Sequence, residues 1–247
     1  MRMTTDLPAL RAAHRYALYL APTGPWLELG RAWLGRCADS GATLASEAPA
    51  AWVDAPRRYG LHATLKAPFR LADHARPEDL DAVARRIARH HPPFDLPLTL
   101  ARLRGFLAWR VAPHAEAAQT AVHALAQRAL CEAEPLRAPL DQAELSRRLA
   151  APLTPTQQSM LHVWGYPYAL DTYAFHITLT SVLADDALKQ AQQILSARSQ
   201  TWQARAMPVH AISIYVQPEP GADFLVARHY GFDGINIDGA GAAWMRS

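Results

Sequence analysis

Two segments of this 247-residue chain say nearly the same thing: Leu61-His62-Ala63-Thr64-Leu65 and Phe175-His176-Ile177-Thr178-Leu179. Each runs apolar, His, apolar, Thr, Leu. In an extended strand, side chains alternate faces with a period of two. His62 and Thr64 then share one face while Leu61, Ala63 and Leu65 take the other, and the second copy divides in the same way. The pattern predicts two strands, each with an apolar side for a core and a His/Thr pair on the opposite side. A lone His on a strand is usually structural, and His-x-Thr by itself is a weak motif. Two copies with matching apolar flanks are a stronger signal. Facing each other across a groove, they would place two proton-transfer groups and two hydroxyl donors around one small anionic centre.

The rest of the chain supplies elements to hold such strands. Residues 15–21 read as a buried strand stopped by Pro22-Thr23-Gly24-Pro25, and Trp26, Leu29, Trp33 and Leu34 recur at helical spacing to about Cys37. A Pro- and Ala-rich connection over 49–56 leads to the first His strand at 59–66, which Pro68 is expected to close. A helix over 78–90 and a hairpin over 94–111, turning at Arg104-Gly105, complete a first lobe of residues 14–112. Helical runs at 117–130, 141–149 and 156–163 form a connector or insertion, 113–168, expected to carry no chemistry. Thr154-Pro155 is the cap and first-turn proline of the last run.

The second lobe, residues 169–230, has its His strand, a helix over 185–197 and a hairpin of 208–216 with 224–230; residues 231–247 read as a loose tail. Tyr16-Ala17-Leu18-Tyr19-Leu20-Ala21-Pro22 echoes Ile212-Ser213-Ile214-Tyr215-Val216-Gln217-Pro218. The order Tyr strand, His strand, His strand, Tyr strand predicts two lobes about an approximate two-fold with the His strands central. It also puts Tyr19 and Tyr215 on the histidine face as candidate substrate contacts. The other nine histidines have no repeated partner and read as fillers.

Half of the residues are hydrophobic and 19% are charged, the balance of a soluble globular domain rather than a disordered chain. The net charge of +3 without a run of clustered Lys/Arg argues against a nucleic-acid tail and supports only a mild preference for anions. Of the 25 basic residues only Lys66 and Lys189 are lysines, and Lys66 follows Thr64 by two, which places it as a candidate phosphate contact. Cys37 and Cys131 belong to no CxxC pattern. Residues 1–10 lack the apolar core of a signal peptide and no stretch is long and apolar enough to span a bilayer, so a cytoplasmic protein is expected.

With these residues in hand, the two His-x-Thr strands, 114 residues apart, resemble the signature of the 2H phosphoesterase superfamily. The run His62-Ala63-Thr64-Leu65-Lys66-Ala67-Pro68-Phe69, with Arg15-Tyr16-Ala17-Leu18-Tyr19, is most similar to a bacterial branch associated with phosphonate metabolism. The resemblance spans about residues 14–230. It implies an α+β fold, bilobal, with two antiparallel sheets flanking a central cleft and helices outside. It also implies metal-independent hydrolysis of a cyclic or small phosphodiester without a cofactor. His62 and His176 would be the general base and general acid, in an order the sequence leaves open, as it leaves open the reverse, ligating direction. Thr64, Thr178 and Lys66 would bind the non-bridging oxygens.

The expected partner is a small phosphorylated substrate or nucleotide, or an RNA end, met by a monomer away from membranes. Two other classes remain. A metal hydrolase would use the histidines as ligands, but neither motif carries an acidic partner on its His face. A nucleotide- or RNA-end-binding protein without turnover would use the tyrosines for stacking.

Overall fold

The computed structural model describes residues 12–202 and 204–246; the stretch 1–10, judged above for targeting signals, lies outside them. The first half contributes β1 (Arg15–Leu20), α1 (Gly24–Leu34), α2 (Ala50–Arg57), β2 (Ala63–Phe69), α3 (Pro77–Arg89) and the hairpin β3 (Phe94–Leu103) and β4 (Phe106–Val111). The helices α4 (Glu116–Ala133), α5 (Gln142–Leu149) and α6 (Pro155–Trp164) follow. The second half holds β5 (Ile177–Thr178), α7 (Asp185–Ser199), β6 (Ala206–Val209), β7 (Ala211–Gln217), β8 (Leu225–Gly231) and β9 (Asn236–Asp238).

The α+β expectation holds, but the two expected sheets are one. Among the described residues, all nine strands join in a curled antiparallel sheet of order β6-β3-β4-β5-β2-β1-β7-β8-β9. The strands that follow the two histidines are neighbours near its middle, paired at Ala63 and Ile177. The Tyr strands do not flank them symmetrically: β7 pairs with β1, not β5, in the register Ala17–Tyr215 and Tyr19–Ser213. Conversely the β3–β4 hairpin of the first half pairs with β5 and β6 of the second. Strand pairing thus crosses between the sequence halves.

The period-two alternation sets the layers. Leu18, Leu20, Leu61, Ala63, Leu65, Ile177 and Leu179 face a core closed by Trp33 of α1, Leu80 of α3, Leu125 of α4 and Leu188 of α7. Each leucine or isoleucine among them contributes roughly 1.5–3 kcal/mol when fully buried. The opposite face carries a smaller cluster of Ala17, Tyr19, Ala38, Tyr215, Phe224 and Val226. The helix ends follow local chemistry. Gly35, at φ +67°, takes the left-handed position that stops α1, and Thr154 and Gln157 form a capping box at α6 with Pro155 in the first turn.

Several sequence expectations need correction. Pro68 lies inside β2 and does not close it. Pairing passes from Leu18–Lys66 to Tyr16–Phe69, so Ala67 and Pro68 together oppose Ala17 in a bulge, where a missing N–H costs no ladder bond. The Pro- and Ala-rich connection contains α2, because Pro49 precedes its first turn and Pro56 falls in its last. Residues after Gly231 do not trail: β9 pairs with β8, and a 3₁₀ turn at Ala242–Met245 buries Met245. The Tyr16 hydroxyl fixes that turn by donating to the Trp244 carbonyl at 2.9 Å. Among the described residues no helix is long and apolar enough to cross a membrane.

Candidate active site

His62 and His176 each sit one residue before the strand their motif begins. Each ring is fastened in the same way. His62 Nδ1 donates to the Gly60 carbonyl at 2.9 Å and His176 Nδ1 donates to the Ala174 carbonyl at 2.8 Å, two residues upstream in both cases. A carbonyl only accepts, so the neutral imidazole carries its hydrogen on Nδ1 and leaves Nε2 as the basic nitrogen. Neither Nε2 has a protein hydrogen-bond partner among the described residues.

The upstream bond shows a longer repeat than the one first read. Tyr59-Gly60-Leu61-His62 matches Tyr173-Ala174-Phe175-His176, with a tyrosine three residues before each histidine. At Gly60 the chain needs the left-handed region, φ +73°, and a Cβ there would lie 2.6 Å from that of Ala38.

The two motifs line adjoining hollows of one cleft. His62, Thr64, Thr178, Tyr19 and Tyr59 border a space of about 380 Å³. His176 and Arg104 border its neighbour of about 330 Å³, and Thr64, Phe106, Tyr166 and Val182 form walls of both. The structure therefore brings together both histidines and both threonines.

It does not bring Lys66 to them. Pairing steps from Tyr19–Thr64 to Leu18–Lys66, which leaves Leu65 as an extra residue and breaks the alternation that would set Lys66 beside Thr64. Its Nζ is buried and donates to Glu134 at 2.7 Å and to the Leu130 carbonyl at 3.3 Å. The tyrosines also divide unequally. Tyr19 stacks on His62 with ring centres 3.8 Å apart and 17° between planes. Tyr215 lies behind it, donating to the Leu61 carbonyl at 3.3 Å, and borders neither hollow.

Burial lowers the basicity of both imidazoles. At His62 desolvation outweighs the Gly60 hydrogen bond, and with the repulsion of His176 it brings the pKa down to about 4. His176 is lowered too, by burial first and then by the positive charges of Arg110 and Arg104. Arg104 was invisible as a site residue in the sequence. It occupies the first position of the two-residue β3–β4 turn at φ +48°, with Gly105 at +86°, the pair of positive angles that a tight hairpin requires. Its guanidinium lies 4.8 Å from the Tyr168 ring centre.

Tyr166 was missed as well, because the segment after α6 read as a connector. Its ring borders both hollows of the cleft, and burial pushes its phenol up to about 12. A further chain links Ser213 Oγ, His229 Nδ1 (2.7 Å), His229 Nε2 and Asp39 (2.6 Å). Ser213 is wholly buried, so the chain ties β7 to β8 and the 37–39 segment behind Tyr19, and the Ser213 hydroxyl itself is closed to solvent. Among the described residues, no three His, Cys, Asp or Glu side chains gather where they could hold a metal ion.

Two imidazoles with matched tautomers and two threonines in one cleft define an α+β protein with a paired-histidine site on a single curled sheet. The chain belongs to the family described as "Protein of unknown function (DUF1045)", which matches residues 64–225. It is 39% identical over 225 residues to the ribose 1,5-bisphosphate phosphokinase PhnN of Laribacter hongkongensis (strain HLHK9), covering 87% of this chain and 51% of that protein. It is 35% identical over 254 residues to the protein of the same name from Janthinobacterium sp. (strain Marseille), covering 92% and 54%. The chain thus spans about half the length of these curated relatives. Among solved structures, Usb1 of Kluyveromyces marxianus aligns over 87% of this chain and 98% of its own, at 10% identity and a TM-score of 0.37.

Proposed function

We propose that the cleft hydrolyses a cyclic or small phosphodiester by two-histidine acid–base catalysis, as a 2H phosphoesterase. The observation that carries the reading is the matched fastening of the rings: each Nδ1 is committed to a carbonyl, so each Nε2 is left for proton transfer in adjoining hollows that share Thr64. One Nε2 takes a proton from water as the water oxygen bonds to phosphorus. The phosphorus–oxygen bond opposite breaks, and the other imidazolium gives its proton to the departing oxygen. Solvent exchange then resets both rings. Each transfer contributes about 10²–10⁴-fold.

The stronger depression at His62 favours the base role there, since its Nε2 stays unprotonated through neutrality. Substrate phosphate would raise the basicity of His176 and favour the acid role on that side. The Thr64 and Thr178 hydroxyls donate to the non-bridging oxygens, where charge grows in the transition state. Arg104, on the His176 side, supplies the cation first expected from Lys66.

The relatives' name, PhnN, is consistent with the phosphonate-metabolism branch the sequence resembles. A P-loop kinase reading has no support in this chain, because neither Lys66 nor Lys189 follows a glycine as the phosphate-cradling pattern requires. The substrate is a small phosphorylated compound or nucleotide met by a monomer.

A panel of nucleoside 2′,3′-cyclic phosphates and other cyclic phosphodiesters, assayed in the presence of EDTA, tests the reading. Turnover by the wild type, lost in both His62→Ala and His176→Ala with folding intact, is the expected result. A wild type inert on the whole panel, yet binding a nucleotide with an affinity both variants keep, would replace the enzyme with a non-catalytic binder.

A further inference from the structure

Beside the histidine cleft lies a larger chamber of about 500 Å³, and Ala67, Pro68 and Tyr166 form walls of both. Its lining comes from β1 and β2 with the residues that adjoin them, from Pro220 and Gly221, and from the 113–168 segment, the part of the sequence expected to carry no chemistry. The charge there is one-sided. Arg15, Lys66, Arg70, Arg137 and Arg147 line it, and only Asp141 and Glu144 among its lining residues are acidic.

The ion pairs in and around the chamber do not balance it. Glu134 is shared between Lys66 (2.7 Å) and Arg137 (2.6 Å), and Glu144 between Arg148 (2.6 Å) and the more distant Arg147 (3.9 Å). Asp141 meets Arg70 at 3.2 Å. Five cations thus divide three carboxylates. Arg15 has no carboxylate partner among the described residues; its Nε donates to the neutral Gln217 side chain at 2.7 Å.

The chamber is also built to last. Lys66, 2% exposed, is paired with Glu134 at 2.7 Å, and removing a cation from water costs several kcal/mol that a surface lysine would not incur. Arg137 donates to the Val163 carbonyl at 3.1 Å, and Arg148 donates to the Gly165 carbonyl, so two guanidiniums hold the turn that precedes Tyr166. Gly165 takes φ +66° there, and a Cβ would fall 2.9 Å from the Arg137 guanidinium. The Tyr166 hydroxyl makes no protein hydrogen bond among the described residues, which leaves a donor at the boundary of the two spaces.

We propose that this chamber binds a second phosphate-class anionic group carried by the same substrate whose diester lies at the histidines, with Tyr166 at the junction. The inference rests on the phosphodiesterase reading for the identity of the first group. It narrows the substrate class to a phosphodiester bearing an additional phosphate, one that an uncharged diester arm cannot imitate. Guanidinium forks suit such a group because they meet two of its oxygens at once.

The test uses inorganic phosphate as the probe and Trp164, which lines the chamber, as the reporter, its emission isolated by difference from Trp164→Phe. A saturable response is expected in the wild type and in His62→Ala. It should weaken at least tenfold in Arg15→Gln/Arg70→Gln and in Arg147→Glu, whose side chain is 74% exposed, so that this second variant folds. No saturable response, or one lost in His62→Ala but kept in the arginine variants, overturns the proposal.

Turnover separates this from the parent reading. Against a nucleoside 2′,3′-cyclic phosphate with and without a 5′-phosphate, the arginine variants should raise KM at least tenfold for the phosphorylated probe alone. Equal KM values for the two probes in the wild type would overturn the second subsite while leaving the phosphodiesterase standing. A phosphate response that behaves as expected in an enzyme inert on every diester would do the reverse.

Discussion

The two halves of the cleft begin from the same seven-residue pattern and end in different surroundings. Around His62 the neighbours are aromatic: Tyr19 stacks on the ring, Tyr59 and Tyr215 tilt against it at about 6 Å, and Phe224 stacks on Tyr59. Around His176, among the described residues, only the Phe106 ring comes near, at 6.0 Å, and the long-range influences are the charges of Arg104 and Arg110. Sheet register explains the difference. Tyr19 is the cross-strand partner of Thr64, whereas the residue in the corresponding place beside Thr178 is Ala108. A repeated motif therefore fixes how each imidazole is fastened, and the flanking strand decides which half is aromatic and which is cationic.

The sharpest way to break the comparison is to remove each ring in turn. His62→Ala and His176→Ala should each lower kcat on a cyclic phosphodiester by about 10³-fold or more. A diester with a p-nitrophenolate leaving group needs no general acid, so it should rescue His176→Ala and leave His62→Ala inactive. Equal rescue of both would mean that the two halves are interchangeable.

Threonine to valine keeps shape and deletes the hydroxyl, and Thr64→Val and Thr178→Val should each lower kcat by about 10²-fold with KM little changed. A loss confined to KM would remove the transition-state role.

Backbone variants test the fastening. Gly60→Ala puts a methyl into the Ala38 contact at a positive φ and should lower stability by about 3 kcal/mol in denaturant unfolding. Ala174→Gly, its counterpart, should cost no more than about 1 kcal/mol.

The smallest expected effect is the pH dependence of stability. His62 has a lower pKa folded, about 4, than its ordinary 6.5, so between those values the unfolded chain binds the extra proton. Stability from this group is full above about pH 6.5 and is lost as pH falls toward 4. Between pH 7 and 4.5, His62→Gln should therefore lose on the order of 1–2 kcal/mol less than the wild type. An identical loss in both would mean that the ring is not buried as a neutral base.

The sequence made the centre of this arrangement legible, because strand alternation is local. His62, Thr64, His176 and Thr178 could be assigned to one face from spacing alone, and the Arg104-Gly105 turn and the α6 cap from residue chemistry. What escaped was set by pairing between distant segments. The bulge that turns Lys66 toward Glu134 exists only in register with β1, and Tyr215 crowds behind His62 only because β7 chooses β1. Tyr166 follows a helix with no local sign of what it will border. The tyrosine three residues before each histidine was the one missed feature with a sequence signal, since extending the repeat upstream would have found it.

The pairing of β1 carries a consequence for how the chain reaches this state. Both neighbours of that strand are remote: β2 begins over forty residues on, and β7 comes from the final fifth of the sequence. A growing polypeptide has to keep an almost wholly apolar segment unsatisfied on one edge until β7, some 190 residues further on, has been made. Loops of that span close slowly, so folding should lag that of helical proteins of equal size, and a chain cut short before residue 211 should be held by chaperones or aggregate instead of forming half a cleft.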